Sequence, residues 1–127
     1  RKSLNGTMKM PVAITIYHNP NCSKSLKTLQ LIRENGVEPT IVEYLRSPPA
    51  AATIVKLAHW LGIGVAELLR TSDGGEADET LSLNEQSLAR WLQDNPAALQ
   101  RPIVVDEIHE RACIGRPPEN VLALLRQ

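Results

Sequence analysis

The chain has 127 residues, 43% hydrophobic and 22% charged, which suits one soluble globular domain with a single core. Lys+Arg and Asp+Glu both number 14, so the net charge is zero and the general basic surplus of a nucleic-acid-binding surface is missing; any positive site must be a local concentration. Two cysteines, Cys22 and Cys113, are too few for a disulfide scaffold and too far apart for a structural zinc site, and three dispersed histidines with no carboxylate cluster add no metal site.

Pro11 to Tyr17 is rich in β-branched residues, and Val12, Ile14 and Ile16 share one face, which predicts a strand. A turn at His18-Asn19-Pro20-Asn21 follows. Ser23 to Asn35 then reads as a helix with Leu26, Leu29 and Ile32 or Arg33 down one side, stopped by Gly36. Thr40 to Leu45 is a second strand, and strand–helix–strand at this length implies a parallel pair. Ser47-Pro48-Pro49 breaks the chain before a helix whose buried stripe is Ile54, Leu57, Ala58 and Leu61. A short helix over Val65 to Arg70 and an exposed acidic loop over Thr71 to Thr80 come next. Ser82 with Glu85 reads as a capping box for a helix carrying Leu88, Trp91 and Leu92. Ile103 to Val105 and Arg111 to Ile114 form a hairpin, and a last helix starts at Pro117 or Pro118. A βαβ half followed by a ββα half is the thioredoxin-like arrangement. The expected fold is therefore α/β, with a mixed four-stranded sheet of order 2-1-3-4 and helices inserted between strands 2 and 3. Residues 1–10 read as a tail or remnant and 11–127 as a single domain.

No apolar run reaches the roughly 18 residues of a membrane span, and the basic, polar start lacks the apolar stretch of a secretory signal. The expectation is a cytoplasmic monomer with no membrane partner and no direct nucleic-acid partner.

Cys22 is the informative residue. It sits in a turn after a strand, at the first positions of a helix, where free N–H groups and the helix dipole favour a thiolate. Lys24, Lys27 and His18 add potential positive charge, and Ser23 and Ser25 add hydroxyls. The same N–H groups would cradle an anion beside the sulfur. A lone cysteine is more often a small buried hydrophobe, but the polar neighbours Asn21, Ser23, Lys24 and Ser25 argue against that here. Position 25 is Ser, so no Cys-x-x-Cys pair exists, and any adduct on Cys22 must be resolved by another molecule or by Cys113. Cys113 is expected two strands away, about 10 Å by strand spacing, which is beyond disulfide reach. In this fold the residues before the third strand face the nucleophile, so Arg101-Pro102 is placed there, with Pro102 as the candidate cis-proline. Arg70, Arg101 and Arg116 are candidates for clamping a tetrahedral oxyanion, although any one arginine is most often a solvated surface charge. His59 and His109 are read as structural.

These residues resemble a known family. The run Ile16-Tyr17-His18-Asn19-Pro20-Asn21-Cys22-Ser23-Lys24-Ser25 with Thr28-Leu29 is similar to the nucleophile loop of the glutaredoxin-coupled arsenate reductases, the ArsC family, in its YfgD-like branch. Gly36-Val37-Glu38-Pro39, Tyr44-Leu45, Pro48-Pro49, Glu67-Leu68-Leu69-Arg70, Asn95-Pro96, Arg101-Pro102-Ile103-Val104-Val105 and Ile114-Gly115-Arg116-Pro117-Pro118-Glu119 continue the resemblance. It implies reduction of arsenate to arsenite, with glutathione as co-substrate, glutaredoxin as partner and no bound cofactor. It makes Cys22 the nucleophile and sets Arg70, Arg101, Arg116 and Ser25 around the oxyanion. His18 and Lys24 would tune the thiolate. The chain departs from the family at Leu26, where an arginine is usual. Two other readings remain open. One is an Spx-like regulator that docks on RNA polymerase; the other is a glutathione-dependent thiol reductase with a different substrate.

Overall fold

A computed structural model describes residues 13–69 and 84–125. Strand β1 (Ile14–His18) is the centre of the molecule, because both of its edges are paired and both of its faces are covered. It runs parallel to β2 (Thr40–Glu43), with Ile16 opposite Ile41 and His18 opposite Glu43. It runs antiparallel to β3 (Ile103–Asp106), with Ile16 opposite Val104. Strand β4 (Arg111–Ile114) returns antiparallel to β3, with Cys113 opposite Val104. The four-stranded order is β2-β1-β3-β4, the mixed thioredoxin-like sheet expected from the order of elements.

Alternation along the strands sends side chains to two cores. Ile14, Ile16 and Val104 meet Leu29 and Ile32 of helix α1 (Ser23–Glu34) and Val121 and Leu124 of a short C-terminal helix, α4 (Val121–Leu125). Tyr17, Ile103 and Val105 point the other way. They meet Ile54, Leu57 and Ala58 of α2 (Ala51–Leu61) and Leu88, Ala89 and Leu92 of α3 (Glu85–Asp94). Ile16, Ile103 and Val104 are fully enclosed, so truncating Ile16 to Ala would cost about 2–5 kcal/mol. No helix among the described residues is long and apolar enough to cross a membrane.

The structure corrects several local expectations. The buried face of α1 is Ser25, Thr28, Leu29 and Ile32: Leu29 and Ile32 of the expected stripe are buried, while Leu26 and Arg33 are exposed. The buried positions keep the i, i+3, i+4, i+7 spacing, and the polar pair is admitted because both hydroxyls are bonded. Leu26 is left 49% exposed. Strand β2 ends at Glu43, whose carbonyl accepts from the N–H groups of both Arg46 and Ser47 and turns the chain before Leu45. Val65–Leu68 is a single 3-10 turn, after which Leu69 bridges Leu99 in an extended conformation. Asn84 caps α3 by accepting from the Ser87 N–H at 2.8 Å, in place of the expected Ser82 box. Tail residues 1–10, the strand start at Pro11 and Val12, Arg70, Ser82 and the acidic loop lie outside the described residues.

The β3–β4 turn is closed by a buried carboxylate. Asp106 accepts from the Ile108 and His109 N–H groups and lies 2.7 Å from His109 Nδ1 and 3.3 Å from Arg111. Burial pushes the Asp106 pKa up, but the His109 and Arg111 contacts outweigh it, so the carboxyl titrates below its ordinary value. A carboxyl depressed by folding contributes stability that is fully present above its unfolded pKa of about 4 and lost as pH falls through the folded value. Asp106→Asn should therefore lower stability at neutral pH and flatten the acid limb of a stability–pH curve measured by urea unfolding. An unchanged acid limb would remove Asp106 from that role.

Candidate active site

Cys22 is the N-cap of α1. Its backbone is extended (φ −107°, ψ 122°), and its carbonyl accepts the first helical bond from the Leu26 N–H at 3.0 Å. The preceding turn is set locally. The Cys22 N–H donates to the Asn19 carbonyl at 3.0 Å, and the Asn21 N–H donates to Asn19 Oδ1 at 2.9 Å. Cysteine is not a normal capping residue, no side-chain cap forms, and the first turn of α1 holds no acidic residue. The helix therefore opens onto the sulfur with its positive end unneutralised.

The thiol is partly buried. Burial is the largest single influence and pushes its pKa up. The main-chain N–H groups of Ser25 and Lys24 and the Arg101 guanidinium together outweigh it, so the Cys22 pKa lies below the ordinary cysteine value. Lys24 thus acts on the sulfur through its backbone, not through its ammonium group. His18 is not a cation beside the thiolate either. Burial lowers its pKa despite the opposing pull of Glu43, which keeps the ring neutral. His18 Nδ1 instead lies 2.6 Å from the fully buried Ser25 hydroxyl, which also accepts from the Asn19 N–H at 3.1 Å. The pair locks the first turn of α1 against the end of β1.

Arg101 comes from the segment before β3, where the Arg101–Pro102 peptide is cis. Its Nη1 reaches only the Ala97 carbonyl, at 3.4 Å, and its Nε is buried without a partner among the described residues. Among the described residues this guanidinium makes few contacts with protein acceptors, and it bears directly on the thiol. Arg116 is tied to the same segment, with Nε donating to the Arg101 carbonyl at 2.7 Å. The Gly115 N–H donates to the Pro102 carbonyl at 2.9 Å. A side chain at 115 would meet Thr28 Oγ1 at 2.5 Å and Pro102 Cγ at 2.9 Å, so only glycine lets β4 come this close to α1. Of the arginine trio, Arg101 is beside the sulfur, Arg116 braces the Arg101 backbone, and Arg70 lies outside the described residues. The chain just before Arg70 is pinned to the Arg101 segment, where the Gln100 N–H donates to the Leu68 carbonyl at 2.7 Å.

Four residues of this site entered the sequence reading only within the family-like motifs and were given no role there: Asn19, Thr28, Tyr44 and Gly115. Tyr44 follows β2 and is fully buried, and its hydroxyl has no hydrogen-bond partner among the described residues. Leaving such a group unpaired costs about 1–3 kcal/mol. Cys113 lies on β4 against the α1 and α4 core, and burial pushes its thiol up to about 11. The two cysteines are both free, and they differ in chemistry as well as place.

A thioredoxin-like sheet with a cysteine of lowered pKa at an uncapped helix start and a guanidinium beside it has the makings of a thiol-based oxyanion or redox site. Residues 17–124 match the ArsC family, and the chain belongs to it. It is 46% identical over 120 residues to the uncharacterized protein YfgD of Escherichia coli K12, covering 91% of this chain and 99% of that one. It is 44% identical over 117 residues to an arsenate reductase of the same strain, covering 88% of this chain and 80% of the relative. The solved arsenate reductase of Vibrio cholerae superposes with a TM-score of 0.81 at 33% identity, covering 90% of this chain and 98% of that structure.

The two thiols should separate in alkylation kinetics. The reaction rate of Cys113→Ser protein against pH should titrate below the roughly 8.5 of a free cysteine, and Arg101→Ala should move that titration upward. Cys22→Ser protein should show no fast phase up to pH 9. A Cys22 titration at or above 8.5 would contradict the electrostatics of the site.

Proposed function

We propose that this protein is an arsenate reductase that works through the Cys22 thiolate, with glutathione as co-substrate and glutaredoxin as the partner that removes the oxidised thiol. The observation that carries this reading is the Arg101 guanidinium, its Nε without a partner among the described residues, beside a cysteine of lowered pKa at an open helix end. The arrangement offers a nucleophile and an anion cradle at one point. The family relationship and the arsenate reductases among its relatives support the same chemistry.

In this scheme arsenate binds to the Ser23–Ser25 end of α1 and to Arg101, with Arg116 and Arg70 as further cations. The thiolate of Cys22 attacks arsenic(V), an S–As bond forms, and one oxygen leaves as water. Glutathione adds its sulfur to arsenic with loss of a second water. A glutaredoxin thiolate then attacks the glutathionyl sulfur; the S–As bond breaks, its electron pair stays on arsenic, and arsenic becomes trivalent. Water displaces arsenic from Cys22, releasing arsenite and restoring the thiol. No second protein cysteine is needed, which fits the absence of a Cys-x-x-Cys pair and a Cys113 thiol that burial keeps protonated on β4, two strands from β1. The reductants place the reaction in a reducing cytoplasm, and one chain carries every group the scheme uses.

A coupled assay with purified protein, glutathione, glutaredoxin, glutathione reductase and arsenate, followed as NADPH loss, tests this. Cys22→Ser should abolish turnover and Cys113→Ser should keep it. A dead Cys113→Ser protein with a Cys22–Cys113 disulfide after turnover would overturn the external-reductant scheme. Arg101→Ala should raise KM for arsenate roughly ten- to a hundredfold, the value of a charge-assisted contact. Leu26 is half-exposed on the turn after Ser25, so Leu26→Arg should lower KM by supplying a cation there. If neither change moves KM, arsenate does not bind at this end of α1, and a thiol reductase acting on another substrate becomes the better account.

A further inference from the structure

Two buried side-chain atoms among the described residues have no hydrogen-bond partner, Tyr44 Oη and Arg101 Nε; the guanidinium nitrogen donates, and the phenol can donate or accept. They belong to one place. The Tyr44 hydroxyl is close enough to Arg101, Asn19 and Cys22 for each of them to affect its ionisation. The fold explains the proximity. Glu43 pairs with His18, so Tyr44 stands just past the carboxyl end of β1, where the Cys22 turn begins. Its ring packs with Tyr17, Ile54 and Leu57 on the face that also receives Ile103, two residues after Arg101.

A phenylalanine would fill the same apolar space without burying a hydroxyl. Neither Tyr44 Oη nor Arg101 Nε is satisfied by a protein group among the described residues, so each can donate to an oxygen brought to the site from outside. Burial is the largest influence on the phenol and raises its pKa, with Cys22 adding to the rise and Arg101 and Asn19 opposing it. The net result keeps the O–H protonated and able to donate.

We propose that Tyr44 is a substrate-positioning residue whose hydroxyl, together with Arg101 Nε, donates to one oxygen of the tetrahedral oxyanion held at Cys22. This rests on the reading of the site as an oxyanion site and extends its recognition beyond the arginines. A hydroxyl fixed by core packing orients the anion in a way that a flexible guanidinium alone does not. One oxygen is thereby held while another is free to leave.

Tyr44→Phe is the test, with Tyr17→Phe as control. Tyr17 is a second tyrosine of the same core, and Glu107 is the charged group that bears on its phenol. Arsenate and sulfate should each protect wild-type Cys22 from alkylation. Tyr44→Phe should weaken that protection on the order of tenfold and raise KM for arsenate by a similar factor. Its melting temperature should stay the same or rise, since an unpaired buried hydroxyl has gone. Tyr17→Phe should leave protection unchanged. Equal protection and equal KM in Tyr44→Phe and wild type overturn the proposal, and so does a lower melting temperature with unchanged protection, which marks a purely structural tyrosine. If arsenate protects the wild type but no NADPH is consumed, the arsenate reductase reading fails while the protection constants still judge Tyr44. If neither anion protects the wild type, both readings fall.

Discussion

The open amino end of α1 is the constraint on which the site depends. Most helices close this end with Ser, Thr, Asp or Asn, and giving up such a cap costs about 0.5–2 kcal/mol. Here Cys22 occupies the position, no side chain caps the helix, and no acidic residue sits in the first turn. The positive end of the dipole therefore remains available to a thiolate or a bound anion. The loss of the cap is offset within the fold. Ser25, three residues into the helix, is enclosed and bonded to His18 and Asn19, so the first turn is held by its flank.

The second half of the site is held by backbone contacts. The Gly115 N–H meets the Pro102 carbonyl, Arg116 Nε meets the Arg101 carbonyl, and the Asn120 side chain donates to the carbonyls of Ile114 and Arg116 at 3.1 and 3.2 Å. These bonds join β4 and the following turn to the segment that carries Arg101. Thr28 takes part from the other side. Its hydroxyl donates to the Lys24 carbonyl at 2.7 Å while its side chain fills the space that a residue larger than glycine would need at 115. A guanidinium placed by such a frame loses less freedom on binding an anion than one on a loose loop.

The same fold gives its two thiols opposite characters. Cys22 and Cys113 are both partly buried, yet the first has N–H groups and a guanidinium around it and the second has Val104, Ile16 and their neighbours. Desolvation acts alone at Cys113 and is overruled at Cys22. The difference is one of position in the sheet, since a cysteine at the carboxyl end of a central strand meets a helix terminus and a cysteine within an edge strand meets a core. Residue type alone carries no such distinction.

The sequence by itself determined the order of elements, the βαβ unit and the place of Cys22 at a helix start. Those features are local, since hydrophobic period, Gly and Pro punctuation and polar flanks all lie within a dozen residues of what they decide. Cys22 was legible because a reactive cysteine needs an unusual neighbourhood, and the neighbours are adjacent in the chain. Tertiary structure alone decided which face of α1 was buried, that His18 acts through Ser25 as a neutral ring, that Arg116 braces Arg101, and that Gly115 admits β4 to α1. It also decided that the Tyr44 hydroxyl stops short of every protein partner among the described residues. In the sequence Tyr44 is part of a family-like motif at a strand end with nothing local to give its hydroxyl a role, 22 positions from Cys22 and 57 from Arg101. Only the pairing of β1 with β2 and β3 brings these three segments to one point, and contacts between distant segments leave no period in the sequence to read.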